Sequence, residues 1–294
     1  MNEYISHLSA ATLWDIPYVE TVFSSQISEP ETVDITVSHR SAMSRIRGSR
    51  IHLCQGSLPA GAVVSRNGKM IASPELVFLQ LASELSIHQL ILLGLQLCSN
   101  PPGNPSAAIT TKRKLKTFLA KTSGHQGQKK ALRSVKYIED RSASVMESLL
   151  YMILTLPHSL GGYGLDGAVF NYEIKLKDEA GERLGQKRCF TDLYYKSSKL
   201  AIEYESFAFH NSPSTQGKDS LRSAILDRHG IEVMHLNTIQ LYDKYACEDF
   251  AFNLACRLSR RIQIRTKRFD EMNALLRALL PIGKPAPAAS LDLP

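Results

Sequence analysis

"CFTDLYYKSSKLAIEYES", Cys189 to Ser206, decides how the second half of this chain is read. Two runs of aromatic and apolar residues flank the polar stretch Lys196 to Lys199, which is the pattern of a β-hairpin. With the turn centred on Ser197-Ser198, the pairing sets Asp192 opposite Glu203, whether the loop is counted as two residues or four. Strand side chains alternate between faces, so Glu205 joins Glu203 while Ile202, Tyr204 and Ser206 take the other side. Three carboxylates thus converge on one patch. Like charges directly opposite one another repel, and an apolar sheet that carries them needs something to offset them. A hard divalent cation, Mg²⁺ or Mn²⁺, does this with oxygen ligands and can activate a water. The plain alternative is a strand with one wet, acidic face.

The neighbours of this hairpin give it a setting. "SASVMESLLYMILTLP" reads as a helix capped by Ser142 or Ser144, with Glu147 in its first turn. After the glycine-rich "GGYG" come the strand "VFNYEIKL", the hairpin, a helix through "KDSLRSAILDRHG", the strand "IEVMHLN" and a long helix from Asp243 to about Arg261. Helix, three antiparallel strands, helix, strand, helix is an α/β order with a mixed central sheet.

Glu147, Asp192, Glu203-Tyr204-Glu205, His210, and then Asp219, Arg222, Leu226 and Gly230 in "DSLRSAILDRHGIEV" form a spaced set. This set resembles the very-short-patch-repair-like branch of the PD-(D/E)XK nuclease superfamily over about residues 142–261. The resemblance implies a mixed central sheet flanked by helices and a metal-dependent DNA endonuclease that hydrolyses phosphodiester bonds. Asp192 and Glu203 would be metal ligands, and Glu205 a third ligand or a partner of the attacking water. Glu147 would reach the site from its helix, and His210 would donate a proton or contact a phosphate. For His210 the alternative is an ordinary loop histidine; for Arg222, an intrahelical pair with Asp219. The superfamily's usual lysine is Glu205 here, so Lys199, Lys218 or Arg222 would take its place, or the metal would suffice. The branch has Asp-Gly where this chain has Glu205-Ser206. The competing function is a non-catalytic nucleic-acid-binding or antitoxin-like regulator built on a degenerate nuclease fold.

The first hundred residues have a different texture, an α+β unit smaller than the C-terminal one. A helix over Ser9 to Trp14 precedes three strand-like stretches, "DITVSH", "SRIHLCQG" and "AVVSRNGKMIAS", the last with an Asn67-Gly68 hairpin turn. Ser73-Pro74-Glu75 starts a helix, and Ile87 to Cys98 forms its neighbour. "HLSAATLW", "SHRSAM" and "ASPELVFLQLASELS" loosely resemble the body of AbiE-type abortive-infection antitoxin regulators. His7 and His39 stand too far apart for a metal site and read as capping or core residues. "SNPPGNPSAA" then breaks the chain, and residues 101–140 read as a basic linker with two short helices, Lys112 to Ala120 and Lys129 to Tyr137. The nuclease-like domain spans 141–270, and 271–294 holds a helix end and an Ala/Pro-rich tail.

Charge supports a polyanion partner. The chain carries +7, yet Lys112 to Lys136 holds nine Lys/Arg without an acid and Phe250 to Phe269 holds six, so the remainder is net acidic. Clustered cations gain by displacing counterions from phosphates; the alternative is solvated helix faces. Lys112, Arg113, Lys114, Lys129, Lys130, Lys218 and Arg222 are the candidate nucleic-acid contacts, with DNA as the expected partner and RNA the alternative. Five widely spaced cysteines without a CxxC pair fit neither a disulfide framework nor a zinc knuckle and suggest a reducing cytoplasm. Leu76 to Cys98, the most apolar stretch, is interrupted by Gln80, Glu84, Ser86, His88 and Gln89, which argues against a membrane span.

Overall fold

A computed structural model describes residues 3–19, 32–43, 48–176, 188–205, 222 and 224–281. Two mixed sheets, flanked by helices, organise these residues. The first has the order β3-β2-β1-β5-β4, from strands Glu3–Ile5 (β1), Val33–Val37 (β2), Ser49–Leu53 (β3), Val63–Arg66 (β4) and Lys69–Ala72 (β5). Its central strand, β1, was not marked by any pattern in the sequence. Three residues are too few to show alternation, and β1 is defined by partners far along the chain, antiparallel to β2 and parallel to β5. The turn between β4 and β5 is as expected: Arg66 pairs with Lys69, and Asn67 (φ 51°) and Gly68 (φ 74°) take the two left-handed positions of a type I′ turn.

Helix α1 (His7–Leu13) begins two residues earlier than the sequence suggested, with Ser6 as its N-cap residue. Ser73 accepts from Leu76 N to cap α2 (Pro74–Leu81), and Ser86 closes a capping box with Gln89 on α3 (Ile87–Leu97). The basic segment folds into α4 (Lys112–Ala120) and α5 (Gln128–Ser134), the latter continued by a 3₁₀ turn over Val135–Tyr137. These helices are not a free linker. Leu115, Phe118 and Leu119 are buried, and the pair packs on α2 and α3.

The second sheet runs β6-β7-β8-β9, from Ala168–Lys175, Arg188–Tyr195, Leu200–Glu205 and Glu232–Asn237. β6, β7 and β8 are antiparallel and β9 joins β8 in parallel. The first face of this sheet contributes Leu193, Tyr195, Leu200 and Ile202 to the main core, which also receives helices α6 (Val145–Thr155), α7 (Lys244–Arg257) and α8 (Phe269–Arg277). That core also contains Leu76, Leu90 and other residues of the N-terminal half. Buried polar contacts cross the same seam, from His88 Nε2 to Leu160 O at 2.9 Å and from Gln96 Nε2 to Ser148 Oγ at 2.8 Å. A smaller core on the opposite face holds Ile174, Cys189, Tyr194 and Ala201 beneath Ile225, Leu226 and Ile231. Leu226 of the motif is therefore a packing residue. Gly230 (φ 66°) ends its helical segment in the left-handed region that glycine occupies without strain. Among the described residues no helix is long and apolar enough to cross a membrane.

Candidate active site

The β7–β8 hairpin has the register its sequence dictates. Leu193 pairs with Ile202, Tyr194 with Ala201 and Tyr195 with Leu200, which places Asp192 beside Glu203 at the next rung. There the regular ladder stops. Tyr204 N donates to Asp192 Oδ2 at 2.8 Å, so a carboxylate stands where a backbone carbonyl would otherwise accept. Arg222 reaches over this end of the hairpin, donating to Glu203 Oε1 at 2.9 Å and to Phe190 O.

A third carboxylate arrives from α6. Ser144 caps that helix by accepting from Glu147 N, while Glu147 Oε2 accepts from Ala143 N and Oε1 from Ser144 Oγ, each at 3.0 Å. Asn171 on β6, itself in the left-handed region (φ 44°), donates to the same Glu147 Oε2 at 3.0 Å and to Arg141 O at 2.8 Å. Glu147 is thus both a helix-capping residue and the deepest acid of the group. Asn171 had no sequence signal; its neighbours Phe170 and Tyr172 read simply as strand.

Burial dominates the electrostatics. It raises Asp192 above the ordinary carboxylate range despite the Tyr204 N–H and the Arg222 charge, which act the other way. Burial together with the Asp192 charge lifts Glu147 to about 7. Glu203 rises to about 8, first through burial and then through Asp192, with Arg222 opposing. Three acids therefore repel within one desolvated region, and one guanidinium faces them. Arg222 Nε is buried without a hydrogen-bond partner.

Glu205 goes elsewhere. Its carboxylate pairs with His235 Nδ1 on β9 at 2.8 Å, and its side chain is 38% exposed against 13% for Glu203. No three of Glu147, Asp192, Glu203 and Glu205 bring ligand oxygens within 4.8 Å of one another; among the described residues only His7, His52 and Glu84 form such a group. Of the three cations considered for the missing lysine, Arg222 is in contact. Lys199 sits in the hairpin turn, roughly 13 Å along β8 from Glu203 at about 3.3 Å per residue. Lys218, with Ser206, His210 and Asp219, lies outside the described residues.

The basic candidates between residues 112 and 130 lie on α4 and α5. Arg113, Lys114 and Lys129 are exposed, whereas Lys112 pairs with Glu139 at 3.2 Å and Lys130 Nζ donates to Leu85 O at 2.8 Å. In the second basic stretch Ile262 and Ile264 pack on the core while Arg261 and Arg265 alternate outward; Arg260 pairs with Asp166 at 2.8 Å. Comparison with protein-family models, curated proteins and solved structures finds no match for this chain.

Proposed function

We propose that the chain is a metal-dependent nuclease that hydrolyses phosphodiester bonds at the Glu147, Asp192 and Glu203 cluster, as its resemblance to the very-short-patch-repair-like PD-(D/E)XK branch implies. The observation that carries this reading is the buried, mutually repelling set of acids, two of them pushed to about 7 and 8, opposed by a single arginine. Such an arrangement disfavours the charged state of the free protein, and bound cations reverse that preference. The donor set fits the proposed ion: carboxylate oxygens suit Mg²⁺ or Mn²⁺, which keep part of their water shell and need few protein ligands. Asp192 and Glu203 would hold it, and it would supply charge neutralisation and a polarised water.

This chain's own residues have separable tasks in that reaction. Tyr204 N and Arg222 orient the Asp192 and Glu203 carboxylates. Asn171 and the α6 cap keep Glu147 pointed toward them. Arg222 stands in for the absent lysine, stabilising charge that develops on the phosphoryl oxygens. Glu205 would join only by releasing His235. Exposed Arg113, Lys114 and Lys129 would contact backbone phosphates, which positions a duplex without reading its bases. A role in phage defence or mobile-element biology rests on the resemblance alone.

The Glu205–His235 pair favours the second reading, a nucleic-acid-binding regulator whose site no longer cuts. One assay separates the two. Plasmid and single-stranded DNA are incubated with the protein and Mg²⁺, Mn²⁺ or EDTA, beside Asp192→Ala and Glu203→Ala. Metal-dependent cleavage lost in both variants supports the nuclease; DNA binding without cleavage in the wild type overturns it in favour of the regulator.

A further inference from the structure

His7, His52 and Glu84 each offer a ligand atom, and all three atoms lie within 4.8 Å of one another. They come from separate parts of the N-terminal half: the first residue of α1, β3, and the chain just after α2. All three line a cavity of about 740 Å³ whose wall also includes Gln80, Lys121 and His125. The His52 and Glu84 side chains keep 20% and 32% of their surface open, so an ion can reach them from solvent.

What distinguishes this group from a chance cluster is how the rings are held. His7 Nδ1 lies 2.9 Å from Ser6 Oγ, which also accepts from Thr36 Oγ1 at 2.8 Å. That contact leaves Nε2 facing the Glu84 carboxylate, 3.7 Å away. His52 Nε2 lies 2.9 Å from Asp34 Oδ1, and an ionised carboxylate only accepts, so Nε2 carries the hydrogen and the lone pair sits on Nδ1. Asp34 is in turn fixed by Arg50 Nε at 2.6 Å and by Ser9 N at 3.3 Å. An imidazole with one nitrogen engaged by a carboxylate or hydroxyl and the other free is the arrangement in which metal-ligating histidines are oriented.

We propose that His7, His52 and Glu84 form a binding site for a Zn²⁺-class divalent cation, with Asp34 and Ser6 as positioning residues and the fourth coordination position open to the cavity. Two imidazole nitrogens and one carboxylate oxygen suit Zn²⁺ and its late first-row neighbours and are a poor match to Mg²⁺. The two rings stack at 3.6 Å and 15°, so their in-plane lone pairs lie in nearly parallel planes, and one ring must turn for both to meet at one ion. Loading therefore tilts a ring, and His52, at 20% exposure against 10% for His7, is the one with room to turn.

Calorimetric titration of the metal-stripped full chain with ZnCl₂ tests the proposal, in the wild type and in an Asp192→Asn/Glu203→Gln background that removes the acidic cluster. One saturable equivalent is expected in that background and at least one in the wild type; the equivalent common to both is weakened at least about tenfold by His52→Ala and by Glu84→Gln, and by about 10- to 100-fold by Asp34→Asn. Co²⁺ in place of Zn²⁺ should show the visible bands of a four-coordinate ion, absent in His52→Ala. Glu84→Gln changes a partly exposed side chain and keeps the test valid should His52→Ala unfold. No saturable binding by the wild type, binding lost only in the Asp192→Asn/Glu203→Gln background, or binding undiminished in Glu84→Gln would each overturn the assignment.

Discussion

Both sheets of this protein bury carboxylates, and they treat them in opposite ways. On β2, Asp34 is 3% exposed and accepts from Ser9 N, Ser9 Oγ, Arg50 Nε and His52 Nε2. Burial alone would raise it, but the His52 and Arg50 hydrogen bonds and the Arg50 charge hold it well below the ordinary carboxylate range. On β7 and β8, Asp192 and Glu203 share one arginine and one backbone N–H, and they sit above that range. The lesson is one of satisfaction. A buried charge with enough donors stabilises the fold that supplies them, while a buried charge short of donors costs stability and gains from a cation.

The sharpest way to break this comparison is catalysis. Under the proposed function Glu203→Gln should lower metal-dependent cleavage by at least about 100-fold, the order seen when one transition-state-stabilising group is removed. A nicking assay at saturating Mg²⁺ reads this directly, and retained cleavage would remove Glu203 from the site.

Stability should then move in opposite directions at the two sheets. Asp34→Ala leaves Ser9 N, His52 and the partly exposed Arg50 without their acceptor, and urea unfolding should show a loss of about 2 kcal/mol, within the range for leaving buried donors unsatisfied. Glu203→Gln keeps an acceptor for Arg222 but removes a repelling, desolvated charge. It should stabilise the metal-free protein at pH 8 by about 1 kcal/mol, visible as a rise of roughly 2 °C in Tm.

The pH profile is the finest probe. Glu203 titrates near 8 in the fold and near 4.5 when unfolded, so its stabilising contribution is full below about 4.5 and is lost as pH rises through 8. Asp34, lowered in the fold, contributes fully above its unfolded value of about 3.9 and loses that contribution as pH falls further. Metal-free wild type should therefore weaken on both sides, and Glu203→Gln should flatten the alkaline limb alone. A limb unchanged in that variant would place the charge cost elsewhere.

Much of the local structure was legible because short-range chemistry decides it. The Asn67-Gly68 turn, the Ser73-Pro74 helix start and the hairpin that sets Asp192 beside Glu203 each depend on residues within a few positions of one another. The acidic patch was legible to the same extent. Glu205 was not, because alternation places it on the face of Glu203 but cannot say that His235, arriving on a parallel strand, takes its carboxylate. Residues 101–140 read as a basic linker with two short helices, because prolines and a glycine break the chain before them, yet Leu115, Phe118 and Leu119 tie α4 into the core.

The sequence by itself determined most of the segments that become strands and helices, where most of those begin, and which acids meet across the β7–β8 hairpin, since propensity, capping and a short loop act locally; β1 was not among them. Only the tertiary structure decided the rest: that Arg222 faces Glu203, that Asn171 steers Glu147, and that His7 finds His52 rather than His39. Those partners lie 19, 24 and 45 residues apart, and they meet because sheet order and core packing, not neighbouring residues, bring their elements together.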